Sequence, residues 1–377
     1  MQKMNKLTAN DLNFLNTPSL SSDVLEMDRK LKDSLTKAEQ QSEIPVLDIS
    51  LYEENPEAWS LCFVHRLAKY GFALFKNHGL DTDQIEDVYN EVRTLFNRDP
   101  KELEAYSVHA NGKRGISVFG RERHYSSDNT NPDMKEYFQF GPENIPHDVM
   151  DKLGIAANLW PKEQPSFKAA LLNLSQGVDR VQTIILSAIG HVFEGNGQEF
   201  VENFKYGETL WRTIHYPALD SVEDTGGERS ASHTDGGFCT LLLSSNEKGL
   251  VVQPDKEKPE TWIRPETGSQ YMVMNVGRIL DRMTKGFLPA TWHKVEKPED
   301  NGVARVSIPR FIWPNNDFSL YEFDCPAPLA SNKGRDDLTN SLVQKHPVGQ
   351  DIKTFRETTL SQYKDAKEHE ANLKKIG

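Results

Sequence analysis

The chain has 377 residues, 37% hydrophobic and 27% charged, the balance of a water-soluble globular protein with a sizeable core. With 44 basic side chains against 56 acidic ones, the formal charge is -12, which opposes a phosphate backbone and argues against nucleic acid as a partner. Cys62, Cys239 and Cys325 lie far apart without a Cys-x-x-Cys pair, so neither a disulfide framework nor a thiolate zinc site is expected, and three reduced thiols in a cytoplasmic protein are.

The N-terminus, MQKMNKLTANDLNFL, lacks the apolar run of a signal peptide, and no stretch approaches the length of a membrane span, so no membrane partner is expected. Residues 1–43 are polar with apolar positions at loosely helical spacing, and read as a partly helical extension carrying no visible chemistry. Ile44-Pro45-Val46-Leu47-Asp48-Ile49 is the first strand signal, with proline near its start as an edge strand permits. Trp59, Cys62, Phe63, Leu67 and Ala68 then recur at three- and four-residue spacing, which predicts a helix capped at Gly71. Phe72–Lys76 reads as a second strand ended by Asn77-His78-Gly79, and Thr82–Phe96 as a helix stopped before Asp99-Pro100.

Residues 107–150 are less periodic and rich in Arg, His, Asn and Ser, the character of a loop region that lines a site. Arg114, Arg121, Arg123 and His124 there are either a solvated basic loop or contacts for a polar or anionic small molecule. Phe167, Leu171, Leu174, Val178, Val181, Ile185 and Ala188 mark one face of a long amphipathic helix from Pro165 to Phe193. After Gly207 the pattern turns to short apolar runs: 210–216, 239–243, 250–253, 271–276 and 303–311. Closely spaced short strands indicate a β sandwich or barrel, and 361–375 reads as a final charged helix. The fold class is therefore mainly β with flanking helices. One structural domain is expected, divided as 1–43, 44–150, 151–200, 201–320 and 321–377.

Within the β-rich half lies Ser232-His233-Thr234-Asp235-Gly236-Gly237. On a strand, residues i and i+2 share a face, so His233 and Asp235 can present an imidazole and a carboxylate side by side. With His293 from the strand-like run Ala290–Val295 they would complete a facial triad of two histidines and one carboxylate. The pair alone is weak: with 11 histidines and aspartate at about one residue in fourteen, His-x-Asp should arise about 0.8 times by chance. Taken singly, His233 and Asp235 fit a surface loop and His293 a hydrogen-bonded core histidine. Downstream, Arg305-Val306-Ser307 puts a guanidinium fork and a hydroxyl on one strand face, a pair suited to gripping a carboxylate. Val303, Val306 and Ile308 make that strand apolar, so an unpartnered cation there would be costly and an anion is expected.

Together these residues resemble the isopenicillin N synthase-like branch of the 2-oxoglutarate and Fe(II)-dependent oxygenases. The resemblance runs through Ile44–Asp48, Gly71–Gly79, Arg212–Pro217, His233–Asp235 with Thr240-Leu241-Leu242, Asn275-Val276-Gly277, His293-Lys294-Val295 and Arg305–Ser307, in the family's order. It implies a double-stranded β-helix (jelly-roll) core in 201–320, an N-terminal region of the oxygenase fold in 44–150 and the long helix in 151–200. It implies Fe(II) on His233, Asp235 and His293, 2-oxoglutarate on Arg305, Ser307 and Tyr216, and O2 as oxidant of a small organic molecule, with succinate and CO2 released and hydroxylation as the leading outcome. Ile214 stands where the family commonly has Asn, Arg278 where it usually has Asp, and the turn Pro298–Gly302 is slightly long; none removes a ligand. Arg121, Gln139, Phe311 and Trp313 are the substrate-facing candidates. The Arg-x-Ser pair also occurs in isopenicillin N synthase and aminocyclopropane carboxylate oxidase, which do without 2-oxoglutarate, so an iron oxidase of that kind stays open. So do a non-catalytic metal- or ligand-binding sensor on the same fold and a zinc hydrolase, although the latter gives Arg305 no role.

Overall fold

The computed structural model describes residues 21–107, 114–122, 131–153, 155–243, 246–254, 258 and 260–326. The expected helix at 361–375, Arg123 and His124 lie outside them. The extension begins with α1 (Ser22–Asp33), whose N-cap Ser21 accepts from the Val24 amide, and whose Val24, Met27 and Leu31 are buried against the next long helix. A capping box between Thr36 and Glu39 opens α2 (Lys37–Gln41). Strand β1 (Val46–Asp48) leads through a 3-10 turn, Ile49–Glu53, into α3 (Pro56–Tyr70).

Asn55 caps α3 and Pro56 fills its first turn, where a missing N–H costs nothing. Gly71 ends it at φ 64°, and a Cβ there would lie 1.9 Å from the Pro289 carbonyl oxygen, so both conformation and space demand glycine. The chain then enters β2 (Phe72–Lys76), α4 (Thr82–Phe96), the single turn α5 (Pro100–Leu103), β3 (Gly115–Ser117), β4 (Glu136–Phe140) and α6 (His147–Leu153). Helix α7 (Pro165–Glu194) buries the anticipated stripe, Phe167 through Ile185, and ends at Gly195 with φ 72°. After α8 (Gly197–Glu202) come β5 (Leu210–Tyr216), β6 (Ser230–His233), β7 (Cys239–Leu243), β8 (Leu250–Gln253), β9 (Met272–Val276), α9 (Arg278–Met283), β10 (Trp292–Val295) and β11 (Arg305–Ile312).

The strands form an eight-stranded sheet in the order β1-β2-β9-β7-β11-β5-β4-β3 and a three-stranded sheet in the order β6-β10-β8. Among these strands only β1 and β2 pair in parallel; the other ladders are antiparallel. A mixed large sheet and an antiparallel small one, with flanking helices, match the expected fold class. One face of the large sheet carries the main core, where β7, β9 and β11 residues pack on α3, α4 and α7. Each fully buried Leu or Phe there contributes about 2 kcal/mol of apolar transfer. The other face meets the small sheet, and the cavity lies between them.

Register decides what the cavity sees. Arg305 pairs with Tyr216, Ser307 with Ile214 and Phe311 with Leu210, so with a side-chain period of two these residues share one face. All six line a cavity of about 450 Å³. Val306, Ile308, Arg310 and Ile312 point to the opposite face.

Candidate active site

His233 is the last residue of β6, and Asp235 lies two residues beyond it in the connection to β7. The strand rule that suggested their pairing thus covers His233 alone. Asp235 is held instead by its own contacts: its carbonyl accepts from the Arg278 amide at 2.8 Å, and its Oδ2 accepts from Thr240 Oγ1 at 2.5 Å and Asn275 Nδ2 at 2.7 Å. Thr240 and Asn275 are a cross-strand pair of β7 and β9, so the sheet itself fixes the carboxylate. His293 sits on β10 directly opposite His233, and the ladder shifts register after that pair, which is where a bulge can aim a side chain.

Asp235 Oδ1 is 3.7 Å from His233 Nε2 and 3.8 Å from His293 Nε2. His233 Nδ1 lies 2.7 Å from the Ala231 carbonyl and His293 Nδ1 3.1 Å from the Thr291 carbonyl. Donation by Nδ1–H leaves the Nε2 lone pair of each ring facing Asp235, the tautomer a metal requires. The three ligand atoms lie within 4.8 Å of one another, and a metal with bonds of about 2.1 Å would draw adjacent ligands to about 3 Å. Burial pulls the His233 imidazole down to about 3, and the neighbouring His293 adds to this. For Asp235, burial alone would raise the carboxyl, but His293, His233 and the bonds from Asn275 and Thr240 hold it below the usual carboxylate range. Neutral imidazole and ionised carboxylate are the ligand forms of a divalent cation.

Arg305 lies on the same cavity wall, 3% exposed. Its Nε donates to the Glu247 carbonyl at 3.4 Å, its guanidinium stands 5.2 Å from the Tyr216 ring, and its Nη1 has no partner among the described residues. A buried, partnerless donor of this kind is expected to meet a ligand. Ser307 lies beside it on the strand and is equally buried. Arg229, fully buried, donates to the carbonyls of Pro217 and Val303 and stands 5.9 Å from the Tyr216 ring. Burial, followed by the charge of Arg305, lowers the Arg229 guanidinium to about 10.

A polar wall that the sequence did not disclose adjoins these groups. Lys135, 2% exposed, contacts Glu122 at 2.7 Å and Asp133 at 2.8 Å. Arg212 contacts Glu122 at 2.9 Å and stacks over Tyr137 at 4.1 Å. Lys135, Glu122 and Arg212 line the cavity. Among the substrate candidates, Phe311 and Trp313 also line it, whereas Gln139 lies behind Arg212 and accepts from its Nε at 2.8 Å. Arg121 is exposed, 3.8 Å from Glu104, and not among the lining residues. Arg114 is no solvated loop residue: it is 4% exposed and packs against Gly141. Only the lone Arg at 212 in an apolar strand run could have signalled the wall in advance, since Glu122 and Lys135 come from separate, weakly patterned segments.

Two family models match the chain: the N-terminal region of non-haem dioxygenases in morphine synthesis over residues 44–163, and the 2OG-Fe(II) oxygenase superfamily over 208–314. A 2-oxoglutarate-Fe(II) type oxidoreductase of Metarhizium rileyi is 30% identical over 269 residues, covering 66% of this chain and 73% of that one. A proline hydroxylase of Petromyces alliaceus is 28% identical, covering 67% and 81% respectively. Among solved structures, a 2OG-Fe(II) oxygenase family protein from Caulobacter crescentus superposes with a TM-score of 0.70 at 26% identity, covering 85% of this chain and 99% of that one. A full-length Neurospora crassa protein solved in complex with alpha-KG gives 0.67 at 22% identity, covering 87% and 98%, and shares the fold.

Proposed function

The chain belongs to the 2OG-Fe(II) oxygenase superfamily, and from there we propose that His233, Asp235 and His293 hold the iron, that Arg305 with Ser307 and Tyr216 holds 2-oxoglutarate, and that the oxidation is a hydroxylation. The enzyme is a non-haem iron, 2-oxoglutarate-dependent dioxygenase acting on a small molecule. The observation that carries the residue assignment is the convergence of three ligand atoms in the same cavity as the partnerless Arg305 Nη1. Bound iron supplies oxidation of a C–H bond by O2, coupled to conversion of 2-oxoglutarate into succinate and CO2.

The remaining work falls to the chain. Asp235 offers one oxygen to the metal, since its other oxygen is committed to Thr240 and Asn275. Arg305 fixes the far carboxylate of the cosubstrate by a charge-assisted bond in a buried setting, where such a bond is strong. Phe72, Leu242 and Leu250 line the cavity with apolar surface and limit water near the reacting atoms. Phe311 and Trp313 bound the substrate seat, with Arg212 and Lys135 beside it and Gln139 orienting Arg212. A proline hydroxylase among the relatives supports hydroxylation. A cytoplasmic location is part of the proposal, supported by the free thiols of Cys62, Cys239 and Cys325. Succinate release from 2-oxoglutarate, dependent on Fe(II), O2 and an added small-molecule substrate, is the test; oxidised product without succinate would sink the cosubstrate assignment.

A further inference from the structure

The back of β11 carries a cation that the active site does not use. Val306, Ile308 and Ile312 on that face are fully buried, and Arg310 in the same row is 5% exposed. A guanidinium in an apolar row is expensive unless its donors are served. Its Nη2 meets Asp179 Oδ1 of α7 at 2.6 Å, and its plane lies 5.1 Å from the Trp211 ring. Its Nε and Nη1 have no partner among the described residues. Asp179 is a loose counter-ion, since its side chain is 56% exposed.

Arg310 opens into a second cavity of about 600 Å³, between α7 and the back of β5 and β11. Two further partnerless buried atoms line it: Thr209 Oγ1, on a residue 3% exposed, and Gln182 Oε1. Ser175 Oγ accepts from Trp211 Nε1 at 3.2 Å, which leaves its own proton to donate into the same space. Buried polar groups without partners are rare in native proteins, and four such atoms among the described residues, Arg310 Nε and Nη1, Thr209 Oγ1 and Gln182 Oε1, belong to residues lining this one cavity.

We propose that this cavity, on the opposite face of the sheet from the active site, binds a small oxyanion, a carboxylate or a phosphate, through Arg310, Thr209 and Ser175. Arg310 and the Thr209 and Ser175 hydroxyls supply the charge and donors an oxyanion needs, Glu143 and Glu202 on the lining are paired with Lys168 and Lys205, and Asp179 and the acceptor Gln182 Oε1 oppose the anion. The incoming oxyanion takes the Arg310 Nε and Nη1 donors that Asp179 leaves unserved, and the Asp179 charge beside them repels it. The site is independent of the iron and cosubstrate assignments.

Titration calorimetry of inorganic phosphate and of acetate into the full-length protein, at fixed ionic strength, tests this with two variants that pull in opposite directions. Asp179→Asn removes the competing charge and should tighten binding about tenfold. Thr209→Val removes one donor at nearly constant volume and should weaken binding about fivefold. Thr209→Val should not lower the melting temperature without anion, because the hydroxyl it deletes is buried and unserved. Preference for phosphate or acetate identifies the source of the oxyanion, and either supports the proposal. No binding of either anion, or equal affinity in all three proteins, overturns it.

Discussion

The Thr240 hydroxyl donates to Asp235 Oδ2 at 2.5 Å, so a residue on β7 decides which oxygen of Asp235 faces His233 and His293. Thr240→Val keeps the shape and deletes the bond. Loss of such a supporting contact typically lowers metal affinity ten- to a hundredfold, and about tenfold is expected here because Asn275 still holds the same oxygen. Titration with Mn(II) as an iron substitute measures it; unchanged affinity would remove Thr240 from the account.

Arg305 has one bond to the Glu247 carbonyl and an unserved Nη1, so its loss should fall on cosubstrate binding. Arg305→Gln is expected to raise KM for 2-oxoglutarate about a hundredfold, the scale of a lost charge-assisted bond, with a smaller change in kcat. Steady-state kinetics at varied 2-oxoglutarate reads the split. A change confined to kcat would place Arg305 elsewhere in the reaction.

Lys135 is buried between Glu122 and Asp133. Replacing it with Met leaves buried Asp133 without its cation, although Glu122 keeps Arg212, and should cost about 3 kcal/mol of stability. Denaturant unfolding checks this, and a loss below about 1 kcal/mol would mean that the wall is solvated and contributes little.

Glu39 ties the N-terminal extension to the sheet through Lys76 Nζ at 3.0 Å and the Tyr271 hydroxyl at 2.9 Å. Burial opposes its ionisation, but the Thr36 amide, Lys76 and Tyr271 outweigh it and bring the carboxyl from 4.5 to about 2. A depressed acid contributes stability that is present above its unfolded pKa and lost as pH falls through the folded one. Glu39→Gln should therefore cost about 2 kcal/mol at pH 7, with the gap to wild type closing between pH 4.5 and about 2. Chemical denaturation across that range is the measurement, and a gap independent of pH would show that charge at Glu39 is not what stabilises.

Much of this was legible in the sequence because period and punctuation are local. Strands 210–216, 239–243 and 250–253 and the helix Thr82–Phe96 stand where the patterns put them. The partners of Asp235 were not legible, since Thr240 and Asn275 become neighbours only through β7–β9 pairing. The Glu122–Lys135–Arg212 wall was hidden for the same reason, its charges coming from a site-lining loop region and an apolar strand run whose pairing the sequence does not show. Arg114 misled because composition reports loops, whereas burial depends on what folds over them.

The most direct test of the central claim is an anaerobic crystal structure with Fe(II) and 2-oxoglutarate. Metal is expected on His233 Nε2, Asp235 Oδ1 and His293 Nε2, with the far carboxylate of 2-oxoglutarate on Arg305. Metal held by other residues, or that carboxylate away from Arg305, would contradict it.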